Sequence, residues 1–282
     1  MFRPPWPYGR LGSRPSVARV TATDVGTGRT PDLSALVTDE MREQYKQEGY
    51  FLLEKVLTDG QLDLLREVAD FAVAKVDAQM DEQGVDQIGI NTRGRRYFSH
   101  MIYKDRPELR SFLFSDLMAE ICRATLGPEA YLFWEQYVVK ADDPDTKFAW
   151  HQDSGYVHED HAPYLTCWIA LDDVTEENGS VYLLPYSRSG IKSYVKHLRD
   201  EKLNDEVCYF GSDPGMPVVV PAGSIAVFSS VVIHRSGANT TDKYRRAYLA
   251  QYSNEVIMTK DGSKPWGSFE KFLDDGAIVA ER

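Results

Sequence analysis

The sequence predicts a mainly β protein, a β-sandwich or jelly roll that N-terminal helices support. Two observations carry this prediction. Helical patterns are confined to the first part of the chain, and after residue 130 short apolar segments alternate with turn residues. The length of 282 residues would allow two domains, but no internal repeat divides the β-rich part. We therefore expect a single domain over residues 35–282.

The first part of the chain, residues 1–34, differs in composition from the rest. It is rich in Pro, Gly, Ser, Thr and Arg and shows no hydrophobic period. Its five arginines make it locally positive. We expect a poorly structured N-terminal arm over residues 1–34 that lies on an acidic body.

Three helices are predicted before residue 130. Thr38 precedes acidic residues and is a helix cap, and the first helix should end at Gly49. Thr58 and the glutamine three residues later form a capping box that opens the second helix. A short apolar strand over residues 50–56 separates these two helices. The third helix is predicted over about 107–126.

The β-rich part contains eight predicted strands. Each is a short apolar segment, and Gly, Pro, Asn and Asp turns separate them. The segments are Tyr131–Ala141, Phe148–Asp153, Leu165–Asp172, Ser180–Leu184, Val218–Val220, Ser224–Phe228, Val231–His234 and Arg245–Tyr252.

Composition restricts the partners of the protein. A net charge of −11 argues against binding to nucleic acid or to an anionic membrane surface. No apolar run approaches the ~18 residues of a membrane span, and the N-terminus lacks the apolar stretch of a secretory signal. The three cysteines are widely spaced and fit neither a disulfide framework nor a CxxC zinc site. We expect a cytoplasmic protein with a small-molecule partner, and homo-oligomerisation stays open.

Two His-x-Asp pairs are candidate metal ligands. In a strand, residues i and i+2 point to the same face, so His151 and Asp153 can converge on one metal ion. The apolar residues before His151 favour a buried strand that leads into this pair. His158 and Asp160 lie in a polar segment that resembles a loop. A metal pair of His158 with His161 is the open alternative, but it lacks an evident rigid scaffold.

A further histidine and an arginine complete the candidate site. A metal site with two histidines and one carboxylate needs a second histidine besides His151. His234, which ends an apolar segment, is the best candidate. With period 2, Arg245 shares a strand face with Ala247, Leu249 and Gln251. A guanidinium among small and apolar residues requires an anionic partner, and a carboxylate fits its fork best. A surface salt bridge is the alternative for Arg245.

Four motifs occur together in the order seen in a known family. They are Trp150-His-Gln-Asp153, Thr166 through Gly179, Leu184-Pro-Tyr-Ser187, and His234 through Asn239 followed by Arg245. With these motifs the chain resembles the phytanoyl-CoA dioxygenase family of iron(II)- and 2-oxoglutarate-dependent oxygenases, over roughly residues 40–255. The segment from Phe148 to Pro163 also resembles the signature of ectoine hydroxylases. It departs from that signature in spacing and at Val157, so ectoine is not carried over as the substrate.

The resemblance implies a double-stranded β-helix, a jelly-roll or cupin-like fold, with an iron site and a cosubstrate site. The implied iron(II) ligands are His151, Asp153 and His234, and the implied 2-oxoglutarate contacts are Arg245, Ser236, Trp168 and Gln136. The implied activity is a dioxygenase that uses O2 to hydroxylate an unactivated C–H bond of a small molecule, with succinate and CO2 as co-products. Two alternatives are a non-catalytic, metal-binding or regulatory protein, and a jelly-roll metalloenzyme that does not use 2-oxoglutarate.

The substrate is the least defined part of the prediction. Arg235 stands where the family usually has glycine, beside the implied ligand His234, and we expect it to point toward the substrate. Further candidates for the substrate pocket are Arg96, Tyr97, His100, Trp134 and Tyr156. The acidic overall charge disfavours a CoA thioester, because phosphates require basic residues.

Overall fold

The computed structural model describes residues 19–21, 36–200 and 205–282. Its helices are α1 (Asp39–Glu48), α2 (Asp59–Gln83), α3 (Arg110–Leu113), α4 (Asp116–Thr125) and α5 (Tyr186–Ser189). None of the helices in these ranges has the length and apolarity needed to span a membrane.

Most of the predicted arm, residues 1–34, lies outside the described residues. The exception is strand β1 (Arg19–Thr21), which pairs in parallel with β2 (Tyr50–Glu54).

Local signals position the first two helices as predicted. The Thr38 side chain accepts a hydrogen bond from the Met41 amide, and α1 ends at Gly49 in the left-handed conformation. A side chain at Gly49 would also collide with Val232 and Tyr186. Thr58 forms the predicted capping box at the start of α2. The buried side chains of α2 recur at helical spacing and pack toward the sheet: Leu65, Val68, Ala69, Ala72, Val76 and Met80.

The predicted third helix is wrong as a single element. The chain instead forms a 3-10 turn at Pro107–Leu109, the short helix α3, and then α4. The break has a local cause: the Ser115 side chain accepts a hydrogen bond from the Met118 amide and thereby starts a new helix. The predicted end is confirmed, because α4 stops at Thr125 before Gly127.

Most of the remaining chain is β structure. The other strands are β3 (Gln87–Ile88), β4 (Asn91–Thr92), β5 (Arg96–His100), β6 (Ala130–Lys140), β7 (Phe148–His151), β8 (Leu165–Ala170), β9 (Val181–Leu184), β10 (Leu198–Asp200), β11 (Asp205–Val207), β12 (Met216–Pro217), β13 (Ile225–Ser229), β14 (Ile233–Ser236), β15 (Arg245–Ser253), β16 (Glu270–Asp274) and β17 (Ala277–Ile278).

Two sheets face each other and confirm the predicted jelly roll. The major sheet has the order β1-β2-β13-β8-β15-β6-β5-β4-β3, with β16 and β17 attached at β6. The minor sheet has the order β12-β9-β14-β7, and β10 and β11 form a separate hairpin. One hydrophobic cluster lies between the sheets, around Trp168, Leu183 and Phe228, and the larger one lies between the major sheet and the helices. The helices therefore cover one face of the major sheet and leave its other face for the site.

Several strand boundaries differ from the prediction. Val218–Val220 is not a strand, because its backbone bonds irregularly to Val181 and Val174 outside a ladder. Strand β7 stops at His151, two residues before the predicted end. The strands β3 to β5, the β10–β11 hairpin and the C-terminal β16 and β17 were not predicted, because they are short or largely polar.

Candidate active site

Three elements bring the predicted metal ligands together. His151 ends β7 and His234 lies in β14, and the two residues are cross-strand partners in the minor sheet. Asp153 lies beyond the strand, in a 3-10 turn over Asp153–Tyr156. The expectation that His151 and Asp153 share one face of a strand is therefore wrong in its geometry. The turn, rather than strand alternation, directs the carboxylate to the histidines.

The three side chains could hold one metal ion. A ligand atom from each lies within 4.8 Å of the others, and all three groups are buried. His151 Nε2 is 3.9 Å and His234 Nε2 is 3.4 Å from Asp153 Oδ1. The opposite ring nitrogens form hydrogen bonds with the backbone. Nδ1 of His151 lies 2.8 Å from the Ala149 carbonyl oxygen, and Nδ1 of His234 lies 3.0 Å from the Val232 carbonyl oxygen. Donation from Nδ1–H leaves both Nε2 lone pairs available to a metal.

The two carboxylate oxygens of Asp153 have different partners. Oδ2 accepts hydrogen bonds from the Thr166 hydroxyl at 2.6 Å and from the Gln251 amide at 3.1 Å. The Gln251 amide also donates to Thr166, which locks this small network. Oδ1 is the oxygen that faces the two imidazoles. Sequence reasoning missed Thr166 and Gln251 as supporting residues, although Gln251 stood on the strand face assigned to Arg245.

The three side chains of the triad shift one another's pKa values. Burial raises the pKa of the Asp153 carboxyl, but the neighbouring imidazoles and the Thr166 hydrogen bond together hold that pKa below its usual value. Burial and the neighbouring His234 lower the pKa of His151 to about 4. Burial would also lower the pKa of His234, but the charge and hydrogen bond of Asp153 raise it. The carboxylate is thus ionised and His151 neutral, as metal ligands require.

The alternative histidine pair does not form a metal cluster among the described residues. His158 is exposed. His161 uses Nδ1 on the Glu159 carbonyl and lies with Nε2 3.1 Å from the Ser154 hydroxyl. Both ring nitrogens of His161 are therefore occupied by protein groups.

Arg245 lies inside the barrel with part of its guanidinium unpaired. The residue is 1 % exposed, and its Nε and Nη1 have no hydrogen-bond partner among the described residues. Its guanidinium lies 5.6 Å from the centre of the Trp168 ring. Burial lowers the pKa of Arg245 to about 10. A buried cation with unsatisfied donors is the feature expected of a receptor for an anion.

A second buried cation, Lys140, stands next to Arg245 and was missed from the sequence. The two residues are direct cross-strand partners on β6 and β15. Lys140 is 0 % exposed, and its Nζ donates to Ser236 Oγ and to the Gly237 carbonyl, both at 2.7 Å. Burial, followed by the charges of Arg245 and Arg96, lowers the pKa of Lys140 well below its ordinary value. The period of β6, which places Lys140 on the face of Gln136, was the available signal.

A cavity of about 290 Å³ joins the triad to this cationic end. Gln136, Trp168, Ser236 and Arg245 all line it, together with the three candidate ligands. The remaining lining residues are mainly apolar or aromatic: Ile90, Phe98, Phe133, Trp134, Val138, Phe148, Tyr156, Val157, Tyr164, Val181, Phe228, Arg235, Leu249, Gln251 and Trp266.

The side chain of Arg235 does not point toward the substrate as expected. In β14 it alternates with His234 and Ser236, so it projects from the outer face of the minor sheet. There its guanidinium lies 3.7 Å from the centre of the Tyr182 ring and 5.1 Å from that of Trp150. Arg235 therefore stacks its guanidinium on outer aromatic rings and directs this charge away from the metal ligands.

The other predicted pocket residues divide into two groups. Trp134 and Tyr156 line the cavity. Tyr97 faces away from it and donates to Asp77 on α2, and Arg96 donates to the Ile90 carbonyl. His100 stacks on Trp134 at 5.0 Å between ring centres, so it supports the wall without forming it.

A jelly roll that carries two histidines and one carboxylate beside a buried arginine defines a class, the iron- and 2-oxoglutarate-dependent oxygenases. The chain belongs to the phytanoyl-CoA dioxygenase (PhyH) family, whose model matches residues 45–247. The protein is accordingly an oxygenase that uses iron(II), 2-oxoglutarate and O2 to hydroxylate a small molecule.

Individual relatives are similar to the chain over most of its length. The ectoine dioxygenase of Bordetella parapertussis is 26 % identical over 270 residues, which cover 88 % of this chain and 85 % of the relative. The carbocyclase SnoK from nogalamycin biosynthesis has a similar fold, with a TM-score of 0.65 and 20 % identity over 86 % of this chain and 97 % of SnoK. The epimerase SnoN, solved with Fe3+, α-ketoglutarate and a nogalamycin compound, has a TM-score of 0.62 and 20 % identity over 87 % of this chain and 98 % of SnoN.

Proposed function

We propose that His151, Asp153 and His234 hold the catalytic iron(II) of a small-molecule hydroxylase. The donor set supports this assignment, because two imidazoles and one carboxylate are the ligands that suit non-haem iron and leave other coordination positions open. The hydrogen bonds behind each ligand support it as well, since they orient both Nε2 atoms and Asp153 Oδ1 toward one point.

The distal carboxylate of 2-oxoglutarate pairs with Arg245 in this proposal. Lys140 and Ser236 complete the receptor, because the Lys140 ammonium already bonds to the Ser236 hydroxyl. Trp168 and Gln136 lie along the cavity between this end and the triad and flank the cosubstrate. The observation that carries the proposal is the unpaired, buried guanidinium of Arg245 in the same cavity as the triad.

The chain's own residues orient and protect the reaction. When bound, iron(II) and 2-oxoglutarate consume O2 and convert a substrate C–H into C–OH, with succinate and CO2 as co-products. Thr166 and Gln251 hold Asp153 in one orientation, which directs its Oδ1 toward the two imidazoles that would share the metal. The apolar walls of the cavity exclude water from the site.

The metal assignment is tested under anaerobic conditions. Iron(II) and 2-oxoglutarate added to the protein should produce the weak visible charge-transfer band of a chelated complex, and succinate should form when O2 is admitted. His151→Ala and Asp153→Ala should abolish the band. His158→Ala is the matched control and should retain it. Loss of the band in the His158 variant, or its absence in the parent protein, would reject the assignment.

We also propose that the protein binds no nucleic acid and is located in the cytoplasm. Absence of nucleic-acid binding is supported by the net charge of −11. A reducing, cytoplasmic location is supported by Cys122, Cys167 and Cys208, which are all free thiols. Analytical ultracentrifugation would decide whether the chain forms a homo-oligomer.

A further inference from the structure

Aromatic rings form a continuous wall at the metal end of the cavity. Phe133 stacks on Trp266 at 5.7 Å between ring centres, and Trp134 lies 5.6 Å from the same ring. Phe133 also contacts Tyr164, with ring centres 4.7 Å apart. The rings come from β6, from the segment before β8 and from the segment before β16, so tertiary structure assembles the wall. We call these four residues the aromatic chamber.

The aromatic chamber adjoins the triad on the side away from the cationic end. Trp134 is the cross-strand partner of Gln251, whose amide bonds to Asp153. Lys140 and Arg245 lie at the other end of the same strand pair. A cosubstrate that reaches from Arg245 to the metal would fill the cationic end of the cavity. The aromatic chamber is then the space that remains for a substrate to approach the metal.

The chamber offers rings and almost no charge. The formally charged residues that line the cavity are Asp153, Arg235 and Arg245, in addition to the two histidines. Asp153 is the candidate metal ligand, Arg245 lies at the distal end, and the guanidinium of Arg235 stacks on outer rings. Two neighbouring polar side chains are engaged by protein groups, since Tyr156 donates to Asp205 at 2.7 Å and Gln251 donates to Asp153 and Thr166.

We propose that the aromatic chamber binds a flat, uncharged ring system, so that the substrate is a neutral molecule with an aromatic or fused-ring core. This proposal rests on the proposed function and specifies its substrate. A planar ring gains offset-stacking and edge-to-face contacts with rings that are already packed in place, which a flexible chain cannot match. An anionic head group, such as a phosphate, a sulfonate or a CoA thioester, would find no free cation at the chamber among the residues that the structure describes.

The position of His100 strengthens the case for a rigid stacking surface. Its ring lies behind Trp134 at 5.0 Å with an interplanar angle of 25°. Trp134 is also 6.4 Å from Phe133, so neighbours restrict the indole on two sides. A preorganised face loses little conformational entropy when a flat ligand binds.

The test measures binding to metal-free protein by equilibrium dialysis, with four probes of matched size. They are 2-naphthol, its anionic counterpart naphthalene-2-sulfonate, its cationic counterpart 2-naphthylmethylamine, and flexible, neutral 1-decanol. 2-Naphthol should bind most tightly. Stronger binding of decanol, or stronger binding of either charged naphthalene that persists in an Arg245→Met variant, would overturn the proposal in favour of a chain-like or an ionic substrate.

Substitutions separate ring stacking from simple hydrophobicity. Trp134→Leu and Trp266→Leu keep an apolar side chain but remove the flat face, and each should weaken 2-naphthol binding about fivefold or more. Trp134→Phe keeps a flat ring and should therefore retain 2-naphthol binding within about twofold of the parent protein. Trp150→Leu is the matched control, because Trp150 stacks on the outer face of the minor sheet. Unchanged binding in both chamber leucine variants would overturn the proposal.

These measurements are independent of the proposed function. No iron or 2-oxoglutarate is present in the dialysis, so loss of the charge-transfer band would reject the metal assignment without affecting them. Conversely, a protein that forms the band but fails to prefer 2-naphthol would retain its function and lose this substrate class.

Discussion

Lys140 and Arg245 show most directly how single residues prepare the site. Two cations on adjacent positions of neighbouring strands repel each other, and burial removes the water that would screen them. The structure partly relieves this conflict by giving the Lys140 ammonium two acceptors, Ser236 Oγ and the Gly237 carbonyl. Arg245 keeps unsatisfied donors. If the proposed cosubstrate site is correct, an incoming dicarboxylate gains from groups whose desolvation has already occurred during folding.

Binding of 2-oxoglutarate should raise the pKa of Lys140, so that proton uptake accompanies binding wherever the pH lies between the free and the bound values. Burial lowers the pKa of Lys140 in the free protein, and a carboxylate beside it raises that pKa again. At any pH between the two values the ammonium is re-formed on binding, so affinity falls as pH rises. Calorimetry in two buffers of different ionisation enthalpy measures the uptake. Lys140→Met should abolish it, and equal uptake in that variant would contradict the assignment.

Arg245→Lys should weaken 2-oxoglutarate binding about tenfold or more while leaving metal affinity unchanged. A lysine keeps the charge but loses the planar fork that matches a carboxylate. Arg246→Lys is a closely matched control, because Arg246 is the next residue and pairs with Asp172 away from the cavity. Titration of the charge-transfer band gives both affinities. A similar loss in the two variants would argue against a specific role for Arg245.

At the scale of the element, β6 carries different chemistry on its two faces. Gln136 and Lys140 point into the barrel, whereas Glu135 points toward the helices and is 0 % exposed. Glu135 Oε1 accepts a hydrogen bond from the Tyr103 amide, and Oε2 has no partner within the described ranges. The hydroxyl of Tyr137 is also buried and has no partner there. These buried polar atoms interrupt the otherwise apolar packing between the major sheet and the helices, behind the site.

Glu135→Gln should stabilise the protein at pH 8 and flatten its dependence on pH. Burial raises the pKa of Glu135 to about 7. Because the folded pKa lies above the unfolded value, stability is highest below about pH 4.5 and falls as pH rises through 7. The shift corresponds to about 3 kcal/mol. Urea unfolding at pH 5 and pH 8 measures it, and an unchanged pH dependence in the Gln variant would show that another group is responsible.

The elements that could be predicted from the sequence are those with local causes. Thr38, Thr58 and Gly49 act on neighbouring backbone groups, and their helices begin or end where expected. The break at Ser115 also had a local signal, but the apolar pattern on both sides concealed it. The approach of Asp153 to His234 depends on a turn and on Thr166 and Gln251, which are distant in sequence. Residue types could nominate the ligands, but only tertiary contacts orient them.

The aromatic chamber marks the limit of prediction from sequence. Trp134 and Tyr156 could be nominated as pocket residues, but Trp266 and Tyr164 stood in segments with no motif. Trp266 reaches the wall because the C-terminal segment folds back along β6, where β16 pairs with it. Such a contact depends on chain topology, which hydrophobic period does not reveal.

At the scale of the whole molecule, the proposed ligands connect the two sheets. His151, His234 and Ser236 belong to the minor sheet or its edge, whereas Arg245 and the partners of Asp153 belong to the major sheet. Iron bound to the histidines and to Asp153, and a cosubstrate bound at Arg245, would therefore link β7 and β14 to β8 and β15. Binding at this seam should stabilise the entire domain, since separation of the sheets would break both sets of contacts.

Manganese(II) with 2-oxoglutarate should therefore raise the unfolding temperature markedly in the absence of turnover. At a hundredfold excess over Kd, a ligand specific for the folded state adds about 2.7 kcal/mol, which is about 5–10 °C for a domain of this size. 2-Oxoglutarate alone should give a smaller shift, because its metal-chelating end lacks a partner. Differential scanning fluorimetry measures the shift. His151→Ala should lose the combined effect and His158→Ala should retain it, since only His151 lies at the seam. An equal shift in both variants would place the stabilising ions elsewhere on the protein.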